Sequence, residues 1–131
     1  MQDILVPISP GELLDKITIL RIKASRFTDA AKLANVRHEL AQLEQTWRQS
    51  GVDTSAVAAD EAELERINTA LWEIEDDIRD QERAKSFDAR FVELARAVYI
   101  TNDQRAAVKK RINQQLGSAL VEEKSYQPYT D

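Results

Sequence analysis

The sequence predicts an all-α protein. The expected architecture is a long antiparallel helical hairpin, formed by a second and a third helix. It packs with a first helix and a C-terminal helical pair, behind a short extended lead. Three observations carry this expectation. The 131 residues contain only 3 Gly and 3 Pro, too few for the frequent turns of a sandwich or barrel. Ala, Leu, Glu, Gln, Arg and Lys, all good helix formers, dominate the chain. Apolar residues in two segments step by 3, 4, 3, 4, the rhythm of a heptad seam.

Residues 1–9 form the lead: Pro7 disfavours both a central strand and a helical Val6. The first helix is expected from about Pro10 to Arg26. Ser9 is placed to cap it, Pro10 suits its first position, and Glu12 stands three residues after the cap, as in a capping box. The second helix should cover about Asp29–Ser50, with Thr28 as cap, Gly51 as stop, and a seam of Leu33, Val36, Leu40, Leu43 and Trp47. Asp53, Thr54 or Ser55 restarts the chain as a third helix reaching about Arg83. Its seam is Leu64, Ile67, Leu71, Ile74 and Ile78. Two coiled-coil seams joined by a short turn predict an antiparallel pair. After a break near Lys85–Ser86, residues Phe87, Phe91, Leu94 and Val98 mark a fourth helix. Thr101 with Gln104 reads as a second capping box opening a fifth, which ends at Gly117. Residues 118–131 are expected to be a docked arm or a mobile tail within a single 131-residue domain.

Composition limits the function classes. A net charge of −5 argues against a mainly electrostatic nucleic-acid binder. Without cysteine there is no disulfide, thiolate or Cys-zinc chemistry. No run approaches the ~18 apolar residues of a membrane span, and the N-terminus lacks the pattern of a secretory signal. Cytoplasm is the default expectation. Three scattered glycines exclude a Gly-rich phosphate loop, and no Glu-x-x-His pattern supports a di-iron bundle. Neither cofactor nor metal is expected, and no catalytic residue stands out. The only histidine, His38, lies off the second helix's seam and reads as a surface residue.

Three polar groupings are candidate binding elements. On the first helix they are Asp15, Lys16 and Lys23, with Glu12 already explained by capping. On the third helix Asn68, Trp72, Glu75 and Arg79 form a stripe beside the seam, with Glu75 and Arg79 spaced for an i, i+4 ion pair. Toward the C-terminus are Arg96 and the 3, 4, 4 stripe of Asn102, Arg105, Lys109 and Asn113. That stripe suits a phosphate, a carboxylate or an acidic surface. The plainer expectation for these cations is pairing with the acidic third helix.

The blocks SPGELLDKITILRIK, KLANVRHEL, NTALWEIEDDIRDQE, FVELARAVYITNDQRAAVKKRIN and EEKSY occur in this order from Val6 to about Tyr126. Together they resemble a family of small bacterial proteins that form a domain of unknown function. The resemblance implies an envelope-polysaccharide context, since such members occur near glycan or lipopolysaccharide glycosyltransferase genes. It carries no catalytic residues with it.

Long seams without a catalytic constellation lead to the expectation of a non-enzymatic helical interaction or adaptor protein, a homo-oligomer or one with a protein partner. The alternative is a small helical enzyme or binding protein for an anionic metabolite such as a sugar nucleotide or phosphosugar. In that reading Lys16, Lys23, Arg96, Arg105 and Lys109 hold the anion.

Overall fold

A computed structural model describes residues 1–130; Asp131, the last residue of the expected tail, lies outside them. Four α-helices follow one another: α1 (Pro10–Arg26), α2 (Ala30–Gln49), α3 (Ala58–Arg83) and α4 (Ala89–Gln115). A 3₁₀ turn, Thr54–Val57, precedes α3. The described residues contain no strand, so the fold is all-α.

Local signals explain most boundaries. Ser9 Oγ accepts the Glu12 amide at 3.2 Å, and Pro10 opens α1 where its missing N–H costs nothing. Asp29, one residue after the expected Thr28, caps α2 by accepting the Lys32 amide at 2.9 Å. Asp53 caps the 3₁₀ turn, and Asp88 caps α4. Gly51 and Gly117 leave their helices with φ of 80° and 64°, a region that glycine enters without a Cβ clash.

The expected fourth and fifth helices are one helix, α4, of 27 residues. Thr101 and Gln104 satisfy a capping pattern, yet no Gly or Pro separates the two segments. A helix continues through such residues when nothing breaks it and their side chains find other partners.

The helix pairing also differs from expectation. The antiparallel pairs are α1 with α2 and α3 with α4, whereas the Cα traces of α2 and α3 nowhere come within 8 Å. The physical reason lies in α1. It buries Leu13, Leu14, Asp15, Ile17, Thr18, Leu20 and Ile22, more than one face of a helix. A helix buried most of the way round takes the central position. Accordingly α1 packs on α2, α3 and α4 together. The seam of α2 therefore meets α1, with Val36 and Trp47 buried and Leu40 and Leu43 half-buried.

The core joins Leu13, Leu14, Ile17, Trp47, Val57, Leu64, Val108 and Ile112. It occupies one end of the α3/α4 hairpin. Phe27, just past α1, stacks on Trp72 at 6.0 Å, and Arg26 pairs with Glu73 at 3.1 Å. Beyond that level α3 has no buried residue, and α4 has none before Leu94. The hairpin tip stands out from the bundle, and the tail lies back along α4, with Tyr129 against Tyr99 at 5.4 Å.

Candidate functional site

The polar residues that the fold gathers lie where α1 crosses α3 and α4. Asp15 is 1% exposed. Its Oδ1 accepts Arg105 Nε at 2.8 Å and Asn68 Nδ2 at 3.0 Å. Its Oδ2 accepts a second bond from Arg105 Nη2, so the guanidinium grips the carboxylate with two parallel bonds. Asn68 Nδ2 also donates to Thr18 Oγ1 at 3.0 Å, and Thr18 Oγ1 donates to the Asp15 carbonyl at 2.9 Å. Arg105 Nη1 reaches Asn102 Oδ1 at 3.4 Å.

A second cluster follows one helical turn along α4. Lys109 Nζ lies 2.6 Å from Glu12 Oε2 and 3.1 Å from Glu122 Oε2 of the tail. Asn113 Oδ1 accepts the Gly11 amide at 2.7 Å. Gly11 has a specific role here. A Cβ at this position would stand 2.5 Å from the Lys109 carbonyl oxygen and 2.9 Å from Asn113 Oδ1. Its lack of a side chain lets the start of α1 rest on the backbone of α4.

The electrostatics follow from this geometry. Burial pushes the Asp15 carboxyl up, but Arg105 and Asn68 outweigh it and hold the group below the usual carboxylate range. The Asp15 bond raises Arg105 in turn. Burial works against the charge on Lys109, and Glu12 and Glu122 more than compensate, so its pKa is raised. No buried side-chain polar atom among the described residues lacks a partner. A fully paired network of this kind holds the helices together.

Of the expected site residues, Asp15, Asn68, Asn102, Arg105 and Lys109 converge here. The others do not. Lys16 is exposed and Lys23 half-buried, and neither has an ion-pair partner among the described residues. Trp72 stacks on Phe27. Glu75 pairs with Arg79 at 3.3 Å in the i, i+4 manner its spacing suggests. Arg96 is exposed on the outer side of α4. Glu12 leaves the Ser9 amide and turns to Lys109, because a nearly buried ammonium makes the stronger, charge-assisted bond. The expected pairing of α4 cations with α3 appears at Arg111, which meets Asp60 at 2.8 Å and Glu63 at 2.6 Å, and at Arg90, 3.6 Å from Asp77.

A family model described as a family of unknown function (DUF6165) matches residues 4–130. The chain belongs to that family. No curated protein and no solved structure matches it. The DUF6165 match spans both polar clusters and the tail that carries Glu122. Sequence reasoning missed Gly11, Thr18 and Glu122 as members of the network. Gly11 did leave a signal: glycine in a first helical turn costs up to ~1 kcal/mol relative to alanine and is explained here by close approach. Thr18 and Glu122 left none, since each is an ordinary residue in its own segment.

Proposed function

We propose that the protein is a non-enzymatic helical interaction module that works by self-association. Its setting would be the envelope-polysaccharide context that its family resemblance implies. One observation carries the reading. The chain exposes 9135 Å², whereas a compact monomer of 14.9 kDa exposes about 7,000 Å². The excess, about 2,000 Å², is larger than the ~800 Å² each partner buries in a standard interface and lies in the range of obligate ones, with the exposed lead and tail contributing to it. No helix among the described residues is long and apolar enough to cross a membrane.

Two exposed regions fit each other. The extended lead presents Ile4, Leu5 and Val6 at 82%, 90% and 69% exposure, with Asp3 beside them. The outer face of α4 carries a shallow groove lined by Val92, Ala97 and Ile100, with Arg96 at its side and Glu93, which pairs with Arg90, at its rim. A second copy is the occupant: its lead lays the aliphatic side chains into the groove and brings Asp3 to Arg96. The rival reading, a small helical enzyme or binding protein whose five cations together hold an anionic metabolite, has less support, because Lys16, Lys23 and Arg96 do not join Arg105 and Lys109.

Sedimentation equilibrium tests this. The wild-type chain should self-associate, and Leu5→Glu or Val92→Glu should shift it to monomer. Asp3→Lys and Arg96→Glu should each weaken association, and the double variant should restore it. A chain that stays monomeric at all concentrations ends this reading.

A further inference from the structure

The tail residues Glu122 and Lys124 close one side of a niche of about 260 Å³ whose other walls are Glu12, Asn102, Arg105, Ala106 and Lys109. Its cationic wall, Arg105 and Lys109, is built into the bundle, whereas Glu122 and Lys124 belong to the tail. Lys109 has only 10% of its side chain exposed, and Arg105 is anchored by Asp15. Glu122 is half exposed. Residues 119–130 around it are all exposed, with Val121 at 60%, Tyr126 at 83% and Tyr129 at 51%. An ion pair of Glu122 with Lys109 and a ring contact of Tyr129 with Tyr99 tie them to α4. A segment held so lightly opens at low cost.

Spare hydrogen-bond donors, rather than net charge, give the niche its preference for an oxyanion. Within the bundle, Asp15 balances Arg105 and Glu12 balances Lys109. An ammonium has three donors, and one acceptor from the bundle leaves Lys109 able to receive another oxyanion. Asn102 and Arg105 Nη1 stand beside it. Glu122 supplies that oxyanion from within the chain.

We propose that this niche is a binding site for a small oxyanion, a carboxylate or a phosphoryl group, and that Glu122 is its built-in competitor. A ligand that takes the place of the Glu122 carboxylate on Lys109 lifts the tail off α4. Anion occupancy and tail release are then one event. This inference is independent of self-association, since it uses neither the lead nor the outer groove of α4.

The experiment is a titration of the full-length protein with inorganic phosphate, and separately with acetate, at constant ionic strength, followed by amide NMR. A tethered carboxylate at roughly millimolar effective concentration weakens anion binding by about tenfold where the site itself holds a carboxylate at ~0.1 mM, so Glu122→Gln should tighten binding by about that factor. Glu123→Gln, the same charge change one residue away, should leave affinity within about twofold, as a rim charge one residue off the site acts only through screened charge. In the wild-type chain, saturating anion should move the 119–130 amides to random-coil positions. Adding Lys109→Gln to the Glu122→Gln protein should remove binding while the helical circular dichroism is kept. The stronger of the two anions identifies the ligand group. The proposal is overturned if Glu122→Gln shows no saturable binding of either anion, or binds no tighter than Glu123→Gln. It is equally overturned if the tail amides stay in place at saturation. These comparisons stand even where the Lys109 variant does not fold.

Discussion

The two ends of the α3/α4 hairpin solve the same packing problem differently. At the bundle end, α1 lies across both helices, and even the polar residues Asp15, Asn68, Lys109 and Asn113 are buried and paired. At the tip, the same two helices continue without a third. Of their seam residues only Leu94 is buried, at 3% exposure; Ile74, Ile78, Phe91 and Val98 are half-buried, while Phe87 and Val92 are each 54% exposed. Ion pairs differ in the same way. Those of the tip, such as Arg79 with Glu75, lie in solvent, where such pairs contribute ~0–1 kcal/mol. The contrast teaches that a heptad seam supplies a surface, and that a third element decides whether the surface becomes a core.

Asp15→Asn should have the largest effect. It leaves Arg105 part-buried without its counter-charge, and breaking a buried pair in this way costs ~3–5 kcal/mol. Urea unfolding would measure it, and a loss below ~1 kcal/mol, the range of surface pairs, would erase the distinction between the two ends. Gly11→Ala comes next. Alanine usually favours a helix over glycine, but here its Cβ meets the Lys109 carbonyl, a backbone atom. Overpacking of this kind costs ~1–3 kcal/mol, so the sign of the usual substitution should reverse in a thermal melt.

Acid should act on the bundle end in particular. The folded Asp15 pKa lies below its ordinary 3.8. Its contribution is therefore fully present above that value and is lost as pH falls through the lower folded pKa. Melting curves below pH 4 should show the wild-type protein approaching Asp15→Asn, so that the gap between them narrows. The smallest effect belongs to the tip: Glu75→Ala should change stability by no more than ~0.5 kcal/mol, the usual worth of an i, i+4 pair. Hydrogen exchange offers a direct view of the same contrast. Amides at 74–83 and 89–98 should exchange faster than those at 60–68 and 105–113.

Much of the architecture was legible in the sequence. The start of α1 at Pro10, its end at Arg26, the limits of α2 to within a residue, and the end of α3 at Arg83 follow from caps, glycines and apolar spacing. These are local devices that act over a few residues. The 102–105–109 stripe was equally legible, because positions three and four apart share a helix face whatever the tertiary context. Asp15 and Asn68 were visible as polar residues beside apolar seams.

Neither which seam faces which nor which charges meet was visible in the sequence. The seams of α2 and α3 have the same rhythm, and rhythm carries no address. Only the packed structure shows that α1, buried around most of its surface, separates them. The capping pattern at Thr101 is as well formed as the one at Ser9, yet only Ser9 stands at a helix start. Glu12 belongs to a capping pattern in one dimension and to Lys109 in three. Thus the sequence by itself determined an all-α chain, most helix ends and the polar stripe of α4, since these rest on contacts within a few residues. The tertiary structure alone decided the pairing of helices, the burial of Asp15 against Arg105 and the placing of Glu122 on Lys109. Those contacts join residues far apart in the chain, 90 positions in the case of Asp15 and Arg105, and their energies depend on what the fold removes from water.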